Sequence, residues 1–162
     1  MQKILDMRLN SHISKPVFRL KVSDDTEISC MFDTGSDTPI WCSGIEYFIA
    51  LFPNSYAVDP KFLLGGFGQG VSEVPIYIVP EFRIEKIVFK NFHVAIDIKR
   101  RFSWDLVLSY TMFSKMDYSI LNTVENAPIL RFMYERDIYG TGIVPYDRNP
   151  QYADRIFSFV ED

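Results

Sequence analysis

The residues best placed to do chemistry are Met31-Phe32-Asp33-Thr34-Gly35-Ser36, where two apolar side chains lead into a carboxylate followed at once by a hydroxyl and a glycine. A carboxylate delivered this way sits on a strand end, where its position is better held than on a loose loop. It could take a proton from water or give one to a reacting group. Gly35 lacks a Cβ, so another backbone can approach closely and its amide can donate toward the carboxylate. Thr34 offers a hydroxyl able to bond across an interface, and Ser36 offers a second beside the carboxylate. The tripeptide alone is weak evidence, since Asp, Thr and Gly are ordinary turn residues and chance produces it in roughly 3% of chains this long. Its context decides how it is read.

That context is a series of strands. Residues 14–22 alternate apolar and polar at Val17, Phe18, Leu20 and Val22, and Ser23-Asp24-Asp25-Thr26 is turn chemistry. Glu27 to Phe32 reads as the returning strand that carries Asp33. Residues 43–52 hold Ile45, Phe48, Ile49 and Phe52 at helical spacing with Pro53 as a stop, which predicts a short amphipathic helix. Residues 62–70 contain four of the eight glycines, Gly65, Gly66, Gly68 and Gly70, as expected of a flexible hairpin tip. Val74 to Pro80, Phe82 to Phe89 and Phe92 to Ile98 predict three more strands, and Trp104 to Leu108 a buried one. From Asn122 onward the pattern suggests one or two strands in ILRFMYERDIYG and a helix or strand in YADRIFSFVED. Asp-Thr-Gly occurs once, with no internal repeat and no linker.

At 162 residues the expectation is a single domain over 1–162, with 122–162 as a C-terminal extension. The chain is 48% hydrophobic and 15% aromatic, enough for a packed core and suited to a β-rich one. A net charge of −4 and a pI near 5.2 argue against a nucleic-acid partner, because phosphate binding leaves a basic footprint. The one basic cluster, Lys99-Arg100-Arg101, reads as a solvated turn. Cys30 and Cys42 make neither a disulfide framework nor a zinc site, and Cys30 fits a small buried hydrophobe. His12 and His93 lie in unrelated segments and read as structural. No spacing fits zinc, phosphate or nucleotide binding, so no metal or cofactor is expected. The N-terminal MQKILDMRLNSHISK lacks the apolar core of a signal peptide, and no apolar run approaches membrane-spanning length. The expectation is a soluble cytoplasmic protein with no membrane partner.

Phe32-Asp33-Thr34-Gly35-Ser36, the glycine stretch Gly65-Gly66-Phe67-Gly68-Gln69-Gly70 and Asp105-Leu106-Val107-Leu108-Ser109 together resemble the retropepsin family of single-domain aspartic peptidases. The resemblance covers about residues 14–121 in order and spacing. It implies a mainly β fold, a closed β-barrel with a flap hairpin and one or two short helices. It makes Asp33 the catalytic aspartate, Thr34 the residue that grips its twin across a dimer, and Gly35 a contact to substrate backbone. Ser36 and Asp37 fall among the substrate-binding positions, and Gly65, Gly66, Phe67 and Gly68 at the flap tip. Where the family places a glycine after two hydrophobic residues, this chain reads Val107-Leu108-Ser109; serine is small enough if its backbone angle is ordinary. Such enzymes need two carboxylates sharing one proton, one as base and one as acid. With a single Asp-Thr-Gly, the second must come from another copy, which implies a homodimer cutting a peptide or protein substrate. The alternatives are a retropepsin fold that binds peptide or acts as a scaffold without cutting, and an unrelated β-barrel binding module.

Overall fold

The computed structural model describes residues 2–10, 15–36, 38–64, 72–85, 87–97, 102–113, 116–122, 128–135, 140–143 and 156–161. Its strands are β1 Gln2–Arg8, β2 Val17–Ser23, β3 Thr26–Asp33 and β4 Ile40–Trp41, followed by the helix α1 Ile45–Leu51. Then come β5 Tyr56–Leu64, β6 Ser72–Ile84, β7 Ile87–Ile96, β8 Leu106–Ser109 and a single 3-10 turn, Tyr110–Phe113. The chain continues through β9 Asp117–Leu121, β10 Ile129–Glu135, β11 Gly140–Ile143 and β12 Ile156–Glu161. The fold is mainly β, as its alternating apolar segments predict.

Two sheets form. The larger runs β11-β12-β7-β4-β8-β3-β2, with β6 on the other side of β7 and β5 beyond it. Among the described residues these pairings follow an open path and do not by themselves join into a ring. The smaller sheet has the order β1-β10-β9 and is antiparallel throughout. The two meet through aromatic side chains. The Phe32 ring lies edge-on to Phe113, Tyr118 and Phe132, with centroids 5.2–5.5 Å apart, and Phe113 stacks on Phe132 at 4.2 Å. Such offset and edge-to-face pairs add specific attraction to the burial of large apolar area.

Two sequence expectations are revised. The N-terminal segment is a strand: Leu5, Met7 and Leu9 face inward at period two while Ile4, Asp6 and Arg8 face out. The strand expected at 74–80 runs on through 82–84 as β6, with the turn at Glu85 (φ 52°) instead of at Pro80, and residues 87–89 join the strand expected at 92–98 as β7. Pro80 has no amide hydrogen to give the ladder. The β6–β7 pairing steps from Val79↔Phe92 to Glu81↔Lys90 across it, so the strand survives. Of the helix or strand expected in YADRIFSFVED, the strand forms, Ile156–Glu161, and it pairs with β7. Two other predictions hold with trimmed ends: the helix falls at Ile45–Leu51 and the buried strand at Leu106–Ser109.

Candidate active site

The position of Asp33 follows from how β3, β8 and β4 pair. β3 and β8 lie parallel, in the register Cys30↔Leu106, Met31↔Val107, Phe32↔Leu108 and Asp33↔Ser109. On the other side of β8, β4 runs antiparallel to it, through Ile40↔Val107 and Trp41↔Leu106. The loop from Thr34 to Pro39 therefore has to pass over the end of β8, between its two neighbours. The strands that anchor it are almost wholly apolar and buried: Cys30, Met31, Phe32, Ile40, Trp41, Leu106, Val107 and Leu108 all belong to the core. Burial of that kind stabilises by roughly 1.5–3 kcal/mol per large aliphatic or aromatic side chain. The carboxylate thus stands at the tip of the best-packed strands, half-buried, while Thr34 and Gly35 beside it are exposed.

Within the loop, the Gly35 amide donates to Asp33 Oδ1 at 2.8 Å, and the Ser36 amide donates to the Asp33 carbonyl at 3.2 Å, closing a tight turn. A Cβ at Gly35 would stand 3.3 Å from Asp33 Oδ1. Glycine is useful here for the room it leaves beside the carboxylate. The Ser36 hydroxyl donates to the Thr38 carbonyl at 2.7 Å, so it braces the loop's own backbone. Asp37 and the glycine stretch Gly65, Gly66, Phe67 and Gly68 lie outside the described residues. The strands leading to that stretch pair antiparallel up to Leu64↔Ser72.

Two features escaped the sequence reading. The first is the Asp105 carboxylate, which ties three segments together. Oδ2 accepts from the Ser29 amide (2.8 Å) and the Ser29 hydroxyl (3.3 Å), and Oδ1 accepts from the Ser43 hydroxyl (2.6 Å). The Asp105 amide donates back to the Ser29 carbonyl and its carbonyl accepts from Cys42, at 3.0 and 2.7 Å. Charge-assisted bonds of this kind are the stronger ones, and here they lock the register of β3 against β8 at the strand end opposite Asp33. No spacing in sequence joins residues 29, 43 and 105, so only the pairing of β3 with β8 discloses the link. The second is a pocket of about 440 Å³ walled by Phe32, Asp33, Thr34, Trp104, Tyr118 and Ile120 among others. Its far wall comes from β9, which the sequence reading did not separate as a strand. A larger groove of about 710 Å³ beside Phe52, Val79 and Phe82 includes no residue of the Asp33 loop.

Ser109, where the resemblance would place a glycine, is fully buried on β8. Among the described residues the non-glycine positions with positive φ are Glu85 and Asn91, so Ser109 has the ordinary backbone that serine needs. Burial pushes the Cys30 thiol far up, with the Asp105 carboxylate adding to the shift, so the thiol stays protonated and inert. His93 is buried on β7, with Nδ1 2.7 Å from the Asn91 carbonyl, a local backbone contact. No helix among the described residues is long and apolar enough to cross a membrane.

The fold is retropepsin-like. The chain superposes on a retropepsin-like aspartic protease from Rickettsia conorii with a TM-score of 0.50 and 14% sequence identity, over 83% of this chain and 92% of that one. No family model matches the sequence, and no curated protein does. The structural likeness establishes the architecture.

Proposed function

We propose that the chain is one subunit of an aspartic endopeptidase, active as a homodimer, in which two Asp33 carboxylates activate a water molecule against a peptide bond. The observation that carries this reading is the setting of Asp33. Its carboxylate is fixed by a buried strand and by the Gly35 amide, yet it lies on a turn whose next two residues are exposed. A carboxylate so firmly held, on a face left open, suits contact with a twin across a two-fold axis. Two carboxylates in hydrogen-bonding reach cannot both ionise, so one stays protonated. The ionised member takes a proton from water as the oxygen attacks the carbonyl carbon. The protonated member polarises the carbonyl oxygen, and a proton is then returned to the departing amine. Thr34 would grip its twin at this seam and Gly35 would meet substrate backbone. The β5–β6 hairpin, with Gly65 to Gly70 at its tip, would close over an extended peptide and exclude water.

The test is cleavage of a peptide library at roughly pH 4–7, where paired carboxylates share a proton. Wild-type protein should cut, pepstatin should stop it, and Asp33→Asn should lower turnover by at least about 10²–10⁴-fold. An Asp33→Asn protein that cut at the wild-type rate would refute the assignment. A dimer that binds peptides but never cuts them would support the scaffold alternative.

A further inference from the structure

Residues of β1, β2 and β3, the β6–β7 turn and the chain just before β8 enclose a second cleft, of about 570 Å³. That is room for a small ligand. Among the described residues it shares only Trp104 with the pocket that Asp33 lines. Its apolar lining is Met7, Leu9, Val17, Phe18 and the Trp104 indole. Its charged lining is unevenly matched. Asp6 is already held by Arg131, at 2.8 and 2.9 Å. Arg19 meets Glu27 at 3.5 Å with both side chains more than half exposed, a pair too wet to hold either firmly. Arg8 is exposed and has no hydrogen bond or ion pair among the described residues. Glu85, at the β6–β7 turn, is the one other acid of the lining. The Trp104 indole stacks on Phe102 at 4.9 Å with the planes 9° apart. Its N–H is buried and meets no acceptor among the described residues, whereas the Trp41 N–H donates to the Gly44 carbonyl at 2.7 Å. A buried indole N–H usually has a partner. Trp104 is held by packing alone.

We propose that this cleft is a second ligand site, which takes an aromatic carboxylate, either a free acid or the C-terminal residue of a peptide. Arg8 receives the carboxylate, because its planar fork of donors matches two oxygens and no acid of the chain competes for it. Arg19 can leave Glu27 and join it. The ring lies on the apolar lining, against an indole that no hydrogen bond pins in place. The charge balance selects the anion. With Asp6 set aside by Arg131, Arg8 and Arg19 stand against Glu85, which leaves one net positive charge in the lining. That suits a single negative charge and disfavours a phosphate dianion. The site does not depend on the peptidase reading. On that reading, cleavage after an aromatic residue would release a product of this class.

Calorimetry on the full chain tests it with three probes: N-acetyl-phenylalanine, acetyl-Ala-Ala-Phe with a free carboxyl end, and the same tripeptide amidated. A free carboxylate should bind, and amidation should weaken binding at least about ten-fold. Arg8→Gln should weaken the acid as much while melting at the wild-type temperature, since no partner is lost. Arg8→Lys should recover only part, because an ammonium lacks the fork. Lys21→Gln, which removes an exposed cation outside the cleft, should change nothing, and neither should Asp33→Asn in the other pocket. Indole emission should shift on binding, and Trp104→Phe should lose that shift. Equal affinity for the two acids would make the ligand a free acid, and binding of the tripeptide acid alone would make it a chain end. The proposal is overturned if no probe binds, if the amide binds as well as the acid, or if Arg8→Gln binds undiminished. Inorganic phosphate competing as well as the acid would also overturn it, as would an equal loss in Lys21→Gln or Asp33→Asn.

Discussion

Two regions flank Asp33, and they differ in how complete they are within one chain. On the β3–β8–β4 side, Cys30, Leu106, Val107, Leu108 and Ser109 are all buried, and Asp105 bonds Ser29 and Ser43 to close the strand ends. On the β9 side, Tyr118 and Ile120 point the same way as buried neighbours on β10 and remain half out in solvent. The first region is buried in continuous runs, whereas β9 sets one side toward its neighbours and the other toward solvent. The support of the carboxylate is finished by one chain; the wall facing it is not. On the proposed reading, such a site would hold its carboxylate rigidly in one chain and take the rest of its shape from a second copy.

Breaking the join between the regions should have the largest effect on stability. Phe132 is fully buried on β10 and packs on both Phe32 and Phe113, so Phe132→Ala should cost about 3–5 kcal/mol. Urea unfolding would measure this, and a cost below about 1 kcal/mol would mean the sheets are not joined there. The finished side is challenged next by Asp105→Ala, which strands the Ser29 amide and two hydroxyls. A loss of about 2–3 kcal/mol is expected. Cleavage should fall further than stability alone explains, since the β3 register positions Asp33; a change in stability with unaltered turnover would limit Asp105 to a structural role.

Smaller changes sharpen the contrast. Ser109→Gly removes a buried side chain at a position with ordinary backbone, so it should lose at least about 0.5–1 kcal/mol of strand stability and leave cleavage intact. A large gain in turnover would show that serine strains the brace. Asp6→Asn acts on the outer face of the small sheet, away from the site. There Arg131 hydrogen-bonds the Asp6 carboxylate at 2.8 and 2.9 Å and holds its pKa below the ordinary value. A depressed carboxylate pKa contributes stability that is present above the unfolded pKa and lost as pH falls through the folded one. Asp6→Asn should therefore lower the melting temperature slightly near neutral pH, by an amount that shrinks to nothing in acid. A constant difference at all pH values would rule out the ion pair as its cause.

Much of the fold was legible because strands declare themselves by alternation. Val17 to Val22, Glu27 to Phe32 and Trp104 to Leu108 fell where expected to within a few residues. The failures have physical reasons. Pro80 looked like a strand end, yet a β6–β7 ladder that skips one pair tolerates it. β1 does not stand out in the sequence because its lysine, aspartate and arginine obscure an inward row of Leu5, Met7 and Leu9. Asp33 could be singled out because apolar strand, carboxylate, hydroxyl and glycine are contiguous. The Asp105 clamp and the Tyr118–Ile120 wall could not, because both arise from segments brought together only by sheet order.

Subunit mixing puts the shared-carboxylate idea to its hardest trial. Wild-type and Asp33→Asn chains would be combined at fixed total concentration, allowed to exchange, and assayed for cleavage. If each active centre draws one aspartate from each of two chains, an equal mixture should retain about one quarter of the all-wild-type rate, because only matched wild-type pairs cut. A rate of about one half, tracking the wild-type fraction in a straight line, would mean that each chain works alone.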